Sequence, residues 1–201
     1  MSREVNRGAA TSGCCNCVDW VKARLFSEGM GYADIEKGFH GGPEDTPVFL
    51  PFLFGERCPG WNDARQAVFA GLAPQHDAYD LYHSVLEGTL YNLYQCYRKL
   101  CECNGALRQI KLSGGILHSA YWTQMAADIF GLRMACAAMP HASLAGAAML
   151  GMSALDVQSP LFTRQTYDLV DPNLAMTARY AEKYARYIEV YDSQAADGGM
   201  R

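Results

Sequence analysis

Apolar positions along this 201-residue chain change period several times, and each change marks an element. The strongest run begins at Asp80, where Leu81, Val85, Leu86, Leu90, Leu93, Tyr94, Tyr97 and Leu100 recur every three or four residues. That spacing lines one face of a helix and predicts a long helix from Asp80 to Cys101, with Asn104 and Gly105 to end it. Val18, Val21 and Leu25 predict a shorter helix in "CVDWVKARLF", and the Gly- and Pro-rich stretch "GMGYADIEKGFHGGPEDTP" predicts loop. "VFLPFLFGERCPGW" reads as a strand running into a proline-punctuated loop, and "RQAVFAGL" as a second strand. Beyond the long helix the order becomes β-α-β-α. A strand is expected at Gln109–Leu112, a helix capped by Ser119 and stopped by Gly131, a strand at Arg133–Ala137, and a helix in "SLAGAAMLGMSAL". Asp171 as cap and Pro172 in the first turn open a tail helix that carries Tyr180, Tyr184, Tyr187 and Tyr191 on one face, a stripe that reads as core packing.

Composition narrows the function classes. With 50% hydrophobic and 19% charged residues the chain can bury a proper core, as one domain or one large piece of a bigger protein. A net charge of −4 without any Lys/Arg run gives no basis for holding a nucleic-acid backbone. The polar opening "MSREVNRGAATSG" and the lack of eighteen consecutive apolar residues predict neither a secretion signal nor a membrane span, so the cytoplasm is the expected compartment. Eight cysteines offer one C-x-x-C spacing, Cys14 to Cys17, without a second pair or a zinc-type histidine spacing, and read as free thiols, with Cys17, Cys96 and Cys101 packing as small hydrophobes; no metal ligands are assigned. His76, His83, His118 and His141 are scattered without a paired nucleophile.

"LSGGILHS" raises the question of why Gly114 and Gly115 stand between a strand and a helix. One reading is a ligand that comes close to the backbone beside free amide groups and the positive end of the helix dipole, with a nucleotide as the natural guest. The other is a tight turn. The spacing matches neither the dinucleotide fingerprint nor the P-loop.

Upstream, Ala67, Phe69, Gly71 and Leu72 are followed after seven residues by Asp80-Leu81, and after two more by Ser84-Val85-Leu86-Glu87. This arrangement resembles the second signature of the FGGY carbohydrate kinases, the family of xylulokinase, gluconokinase and glycerol kinase. "VFLPFLFGERCPGWNDAR" resembles the family's apolar run ending in Gly-Glu-Arg-x-Pro, "LSGGILHSAYWTQMAADIFG" its adenosine-binding segment, and "SLAGAAMLG" the small-residue helix that closes its carboxy-terminal domain. The likeness runs from about Gly8 to Tyr191.

The resemblance implies an α/β fold, an actin-like (ribonuclease-H-like) ATPase domain incomplete at its amino-terminal end, with residues 1–201 forming part of the carboxy-terminal nucleotide-binding domain. It implies ATP and Mg²⁺ as cofactors and phosphoryl transfer to a sugar or sugar acid of the gluconate or xylulose class. Gly114, Gly115 and Ile116 would lie against the adenosine, Ser119 near the nucleotide, and Cys15 and Asp19 on its other side. Many relatives have a third glycine where Ile116 stands, and Ile116 is expected to pack on the base. The amino-terminal sugar-binding domain and the segment carrying the general-base aspartate are expected to be missing. The chain alone should then be nearly inert and should self-associate through exposed apolar surface. An inactive nucleotide-binding or structural subunit, and one half of a split kinase, remain open beside this. Glu56 and Arg57 line the interdomain cleft or form an internal ion pair, and Glu87 is a structural acceptor.

Overall fold

The computed structural model describes residues 7–105, 109–137, 142–157 and 166–197. In chain order the described elements are α1 (Cys15–Leu25), α2 (Tyr32–Glu36), β1 (Val48–Leu50), β2 (Val68–Ala70), α3 (Ala78–Asn104), β3 (Ile110–Leu112), α4 (Ala120–Phe130), β4 (Met134–Ala137), α5 (Ala142–Ala154), β5 (Tyr167–Val170) and α6 (Leu174–Asp197). Strands β1 and β2 form an antiparallel pair. Strand β4 lies between β3, which runs parallel to it, and β5, which runs antiparallel.

Helix α3 is the organising element. Asp77 caps it by accepting from the Tyr79 and Asp80 amides, while the Asp80 carboxylate accepts from the Asp77 amide, so the free amides of the first turn are satisfied. Gly105, at φ 75°, closes the other end. Tyr82, Val85, Leu86, Leu90 and Tyr91 are buried against α1, β1, α4 and α6. Strand β1 crosses α3 at Gly88, where a β-carbon would run into the Phe49 carbonyl oxygen. On α6, Tyr180, Tyr184, Tyr187 and Tyr191 are all buried, and Tyr91 lies 5.7 Å from Tyr184 and 5.4 Å from Tyr187, ring centre to ring centre. The stripe is core.

Two buried ion pairs tie α6 to the first half of the chain. Glu87 on α3 meets Lys183, and accepts from the Thr46 hydroxyl at 3.0 Å. Burial raises the Glu87 carboxyl and lowers the Lys183 ammonium, each opposed by the other's charge. Glu56 meets Arg65 at 2.9 Å and accepts from the Tyr191 hydroxyl at 2.6 Å and the Gly60 amide at 2.9 Å. Glu56 therefore forms the internal ion pair, but with Arg65; Arg57 is exposed.

Several expectations need correction. The stretch expected as loop contains α2 and a 3-10 turn at Pro43–Asp45, because Ile35 and Pro43 find burial that a linear pattern does not reveal. Asn173, not Asp171, caps α6, accepting from the Ala175 amide at 3.1 Å. Asp171 instead pairs with Arg133, and Pro172 precedes the helix. Strand β5 was not foreseen: its central residues Asp168 and Leu169 are exposed, so it lacks an apolar pattern of its own. Helix α5 forms within the expected segment, yet none of its described side chains is buried. His141 lies outside the described residues. No described helix is long and apolar enough to cross a membrane.

Candidate nucleoside pocket

The turn after β3 explains its own glycines. Gly114 has φ 89°, in the left-handed region where a side chain is strained, although open space surrounds the position where a β-carbon would sit. This conformation turns the chain into a 3-10 turn at Gly115–His118. The Ser119 hydroxyl then accepts from the Trp122 amide at 2.8 Å, starting α4, and the Thr123 hydroxyl donates to the Ile116 carbonyl at 3.1 Å. Gly131, at φ 61°, stops that helix.

Facing this turn is the start of α1. The Asn16 side chain accepts from the Cys14 amide at 2.7 Å and donates to the Ser12 carbonyl at 2.9 Å, fixing the entry to the helix. Cys15 points across to Gly115, where a β-carbon would lie 3.1 Å from its sulfur. One turn on, Asp19 accepts from the Tyr32 hydroxyl at 2.7 Å, which brings α2 over the same space.

Between them lies a cavity of about 290 Å³. Its apolar walls are Val18 of α1, Tyr82 and Leu86 of α3 and Trp122 of α4; Cys15, Asp19, Tyr32, Glu36, Gly115, His118 and Ser119 complete the lining. Trp122 is held by its indole N–H, which donates to the Leu86 carbonyl at 3.1 Å. The Cys14 thiol stabilises the Cys15 thiolate by a hydrogen bond and brings Cys15 down to about 7, against burial and the Asp19 charge. Its bond to Asp19 is the main reason the Tyr32 hydroxyl is pushed up to about 12.

Four of the six residues selected from sequence, Cys15, Asp19, Gly115 and Ser119, meet in this cavity. Gly114 shapes the turn from outside it, and Ile116 packs against the hydrophobic core. Tyr32, Glu36, Tyr82, Trp122 and His118 were not selected. Tyr82 and Leu86 sit four apart on the periodic face of α3, a spacing visible in sequence; nothing linear brings Tyr32 and Glu36 to the same place. A larger cavity of about 480 Å³, between α4 and the start of α6, contains none of the six.

The donor set fits part of a nucleotide. The cavity is near the lower end of small-molecule pockets, about 300–1,000 Å³, and combines flat aromatic walls with a few polar groups. That suits an uncharged nucleoside. Among the described residues no lysine or arginine lines it and two carboxylates do, so a triphosphate finds no counter-charge there. Among the described residues the one grouping with metal-ligand geometry, His40, Asp77 and Asp80, is built on the two aspartates that cap α3.

The profile of the FGGY family of carbohydrate kinases, C-terminal domain, matches residues 33–155. The gluconokinase of Bacillus licheniformis is 34% identical over 140 residues, 69% of this chain and 26% of that protein. The xylulose kinase of Escherichia coli (strain K12) is 37% identical over 120 residues, 59% of this chain and 25% of that protein. The gluconate kinase from Lactobacillus acidophilus superposes with a TM-score of 0.81 at 25% identity, covering 94% of this chain and 39% of that one. The chain thus spans about a quarter of the length of the curated relatives it matches. Gly114, Gly115, Ile116 and Ser119 fall inside the matched span, and Cys15 and Asp19 precede it. The chain belongs to the FGGY family of carbohydrate kinases, as an α/β domain of the actin-like kind found in their carboxy-terminal part.

Proposed function

We propose that this chain supplies the adenosine-binding side of an ATP-dependent kinase for a sugar or sugar acid of the gluconate or xylulose class. The observation that carries this reading is the convergence of Cys15, Asp19, Gly115 and Ser119, from two distant stretches of sequence, on one cavity with aromatic walls. Gluconokinase and xylulose kinase relatives support the choice of substrate class. Family members use ATP and a divalent metal; here the residues present suit the nucleoside, and the phosphates and Mg²⁺ would be held by groups outside this pocket. Phosphoryl transfer needs the sugar hydroxyl, a base and the metal-bound phosphates aligned together. These 201 residues by themselves therefore bind without turning over, and an amino-terminal domain carrying the sugar site and the base completes the enzyme.

One structural feature also favours a chain that works beside a second polypeptide, as half of a split kinase or as a binding subunit: Leu144 and Leu150 stand exposed on α5.

Calorimetry with ADP tests the binding. A dissociation constant on the order of 0.1–1 mM, about 4–5.5 kcal/mol, is expected from nucleoside contacts alone. Gly115→Val should weaken it at least about tenfold, since the new side chain collides with Cys15 and enters the cavity. Binding unchanged by this substitution would return the glycines to a simple turn. Gluconate or xylulose phosphorylation by the chain alone in a coupled ADP-release assay would overturn the assignment of the base to another segment.

A further inference from the structure

Three thiols crowd the start of α1, and the fold treats each differently. Cys17 is fully buried, its thiol directed at the Pro51 carbonyl at 3.6 Å, and burial pushes it up to about 12. Cys14 donates to Cys15 and is held far above the ordinary thiol range, mainly by that bond and then by burial. Cys15 differs on both counts. It is half-buried and lines the cavity, with its sulfur close to the open side of Gly115. As the first residue of an 11-residue helix it also sits at the positive end of the helix dipole, which favours a thiolate.

We propose that Cys15 is a modification site for low-molecular-weight disulfides, and that the mixed disulfide formed there fills the cavity and closes it to its ligand. The Cys15 thiolate attacks one sulfur of the disulfide RS–SR, a Cys15–SR bond forms, the S–S bond breaks, and RS⁻ leaves and takes up the proton that Cys15 gave to solvent. Cys15 is oxidised and half of the reagent is reduced. Burial still disfavours a Cys14 thiolate once the Cys15 thiolate is gone, and a bond between these adjacent cysteines would close a small strained ring, so the adduct persists until an external reductant removes it. Charge selects the reagent. Asp19 and Glu36 line the cavity and, among the described residues, no lysine or arginine does, so a cationic disulfide enters more readily than an anionic one.

The identification of the displaced ligand as adenosine rests on the function proposed above, and the experiment separates the two ideas. The intact chain is treated with cystamine, a cationic disulfide, or with glutathione disulfide, and adducts are quantified by peptide mapping, with the exposed Cys103 as an internal standard. Relative to Cys103, Cys15 should react about tenfold faster with cystamine than with glutathione disulfide, and reductant should reverse the adduct. Cys15 unreacted while Cys103 is modified, or modification at Cys14 instead, would overturn the proposal. Saturating adenosine should slow the reaction at Cys15 and leave Cys103 unaffected. An adduct at Cys15 that forms at the same rate with adenosine present keeps the modification site and overturns the adenosine reading.

Discussion

Two regions of this molecule solve the burial problem in opposite ways. Around α3, the elements α1, β1, α4 and α6 meet on every side, and tyrosines and two ion pairs are enclosed together. Toward β5 and α5, Leu144, Leu150, Leu155 and Leu169 face outward. The first region is self-sufficient. The second has the apolar content of a core without the neighbours, and the proposed pocket lies between α1, α3 and the turn into α4, on the self-sufficient side. Ligand binding and association are therefore separable properties of the chain.

The comparison can be broken most severely at the buried ions. Lys183→Met should cost about 3–5 kcal/mol in urea unfolding, because Glu87 is left enclosed without its counter-charge. A loss below about 1 kcal/mol would mean that the enclosed pair is not what holds α6. At the crossing of β1 and α3, Gly88→Val should cost about 3 kcal/mol, since the Phe49 carbonyl already occupies the space a side chain needs.

A smaller, pH-dependent effect comes from His83. Burial holds its imidazole down to about 3, with Lys183 and His40 acting in the same direction and Asp80 opposing. Tyr121 bonds its Nε2 at 2.9 Å, and Phe39 packs on the ring with 4.8 Å between ring centres. The unfolded chain then binds the extra proton more readily than the folded one. This contribution to stability is complete above about pH 6.5 and falls by about 1.4 kcal/mol per unit as the pH drops toward 3. His83→Gln removes the slope, so the variant should gain about 2 kcal/mol on the parent between pH 6.5 and 5 in denaturant titrations. Parallel curves would show that His83 charges freely in the fold.

The exposed region should respond least in stability and most in association. Leu144→Glu with Leu150→Glu should change unfolding by no more than about 0.5 kcal/mol, while light scattering shifts from dimers or larger species toward monomer. A parent chain that is already monomeric over a wide concentration range would remove the contrast.

What could be read from sequence follows the same division. The run from Leu81 to Leu100, the Ser119 cap and the tyrosine stripe are legible because a helix repeats its own pattern and carries its own stop signals. Strand β5 was not, because its exposed Asp168 and Leu169 owe their conformation to pairing with β4. Arg65 as the partner of Glu56 was not legible either, since the choice over the adjacent Arg57 is made by the enclosing Tyr191 and Phe52 rings. In the pocket, Gly115 and Ser119 announce themselves as turn and cap. Cys15 and Asp19 were reached through family resemblance alone, and Tyr32 and Glu36 enter only because α2 folds over Asp19.

The tie between α6 and the early chain also has a consequence in time. Thr46, Glu56 and Glu87 leave a ribosome long before Lys183 and Tyr191, their partners across 96 to 137 residues. Until α6 arrives, α3 presents a carboxylate and an apolar face to water, and the closing of a very long loop must precede any gain from burying them. Folding of this region therefore waits on α6, and synthesis interrupted between α4 and α6 leaves a product that chaperones and proteases will treat as unfinished.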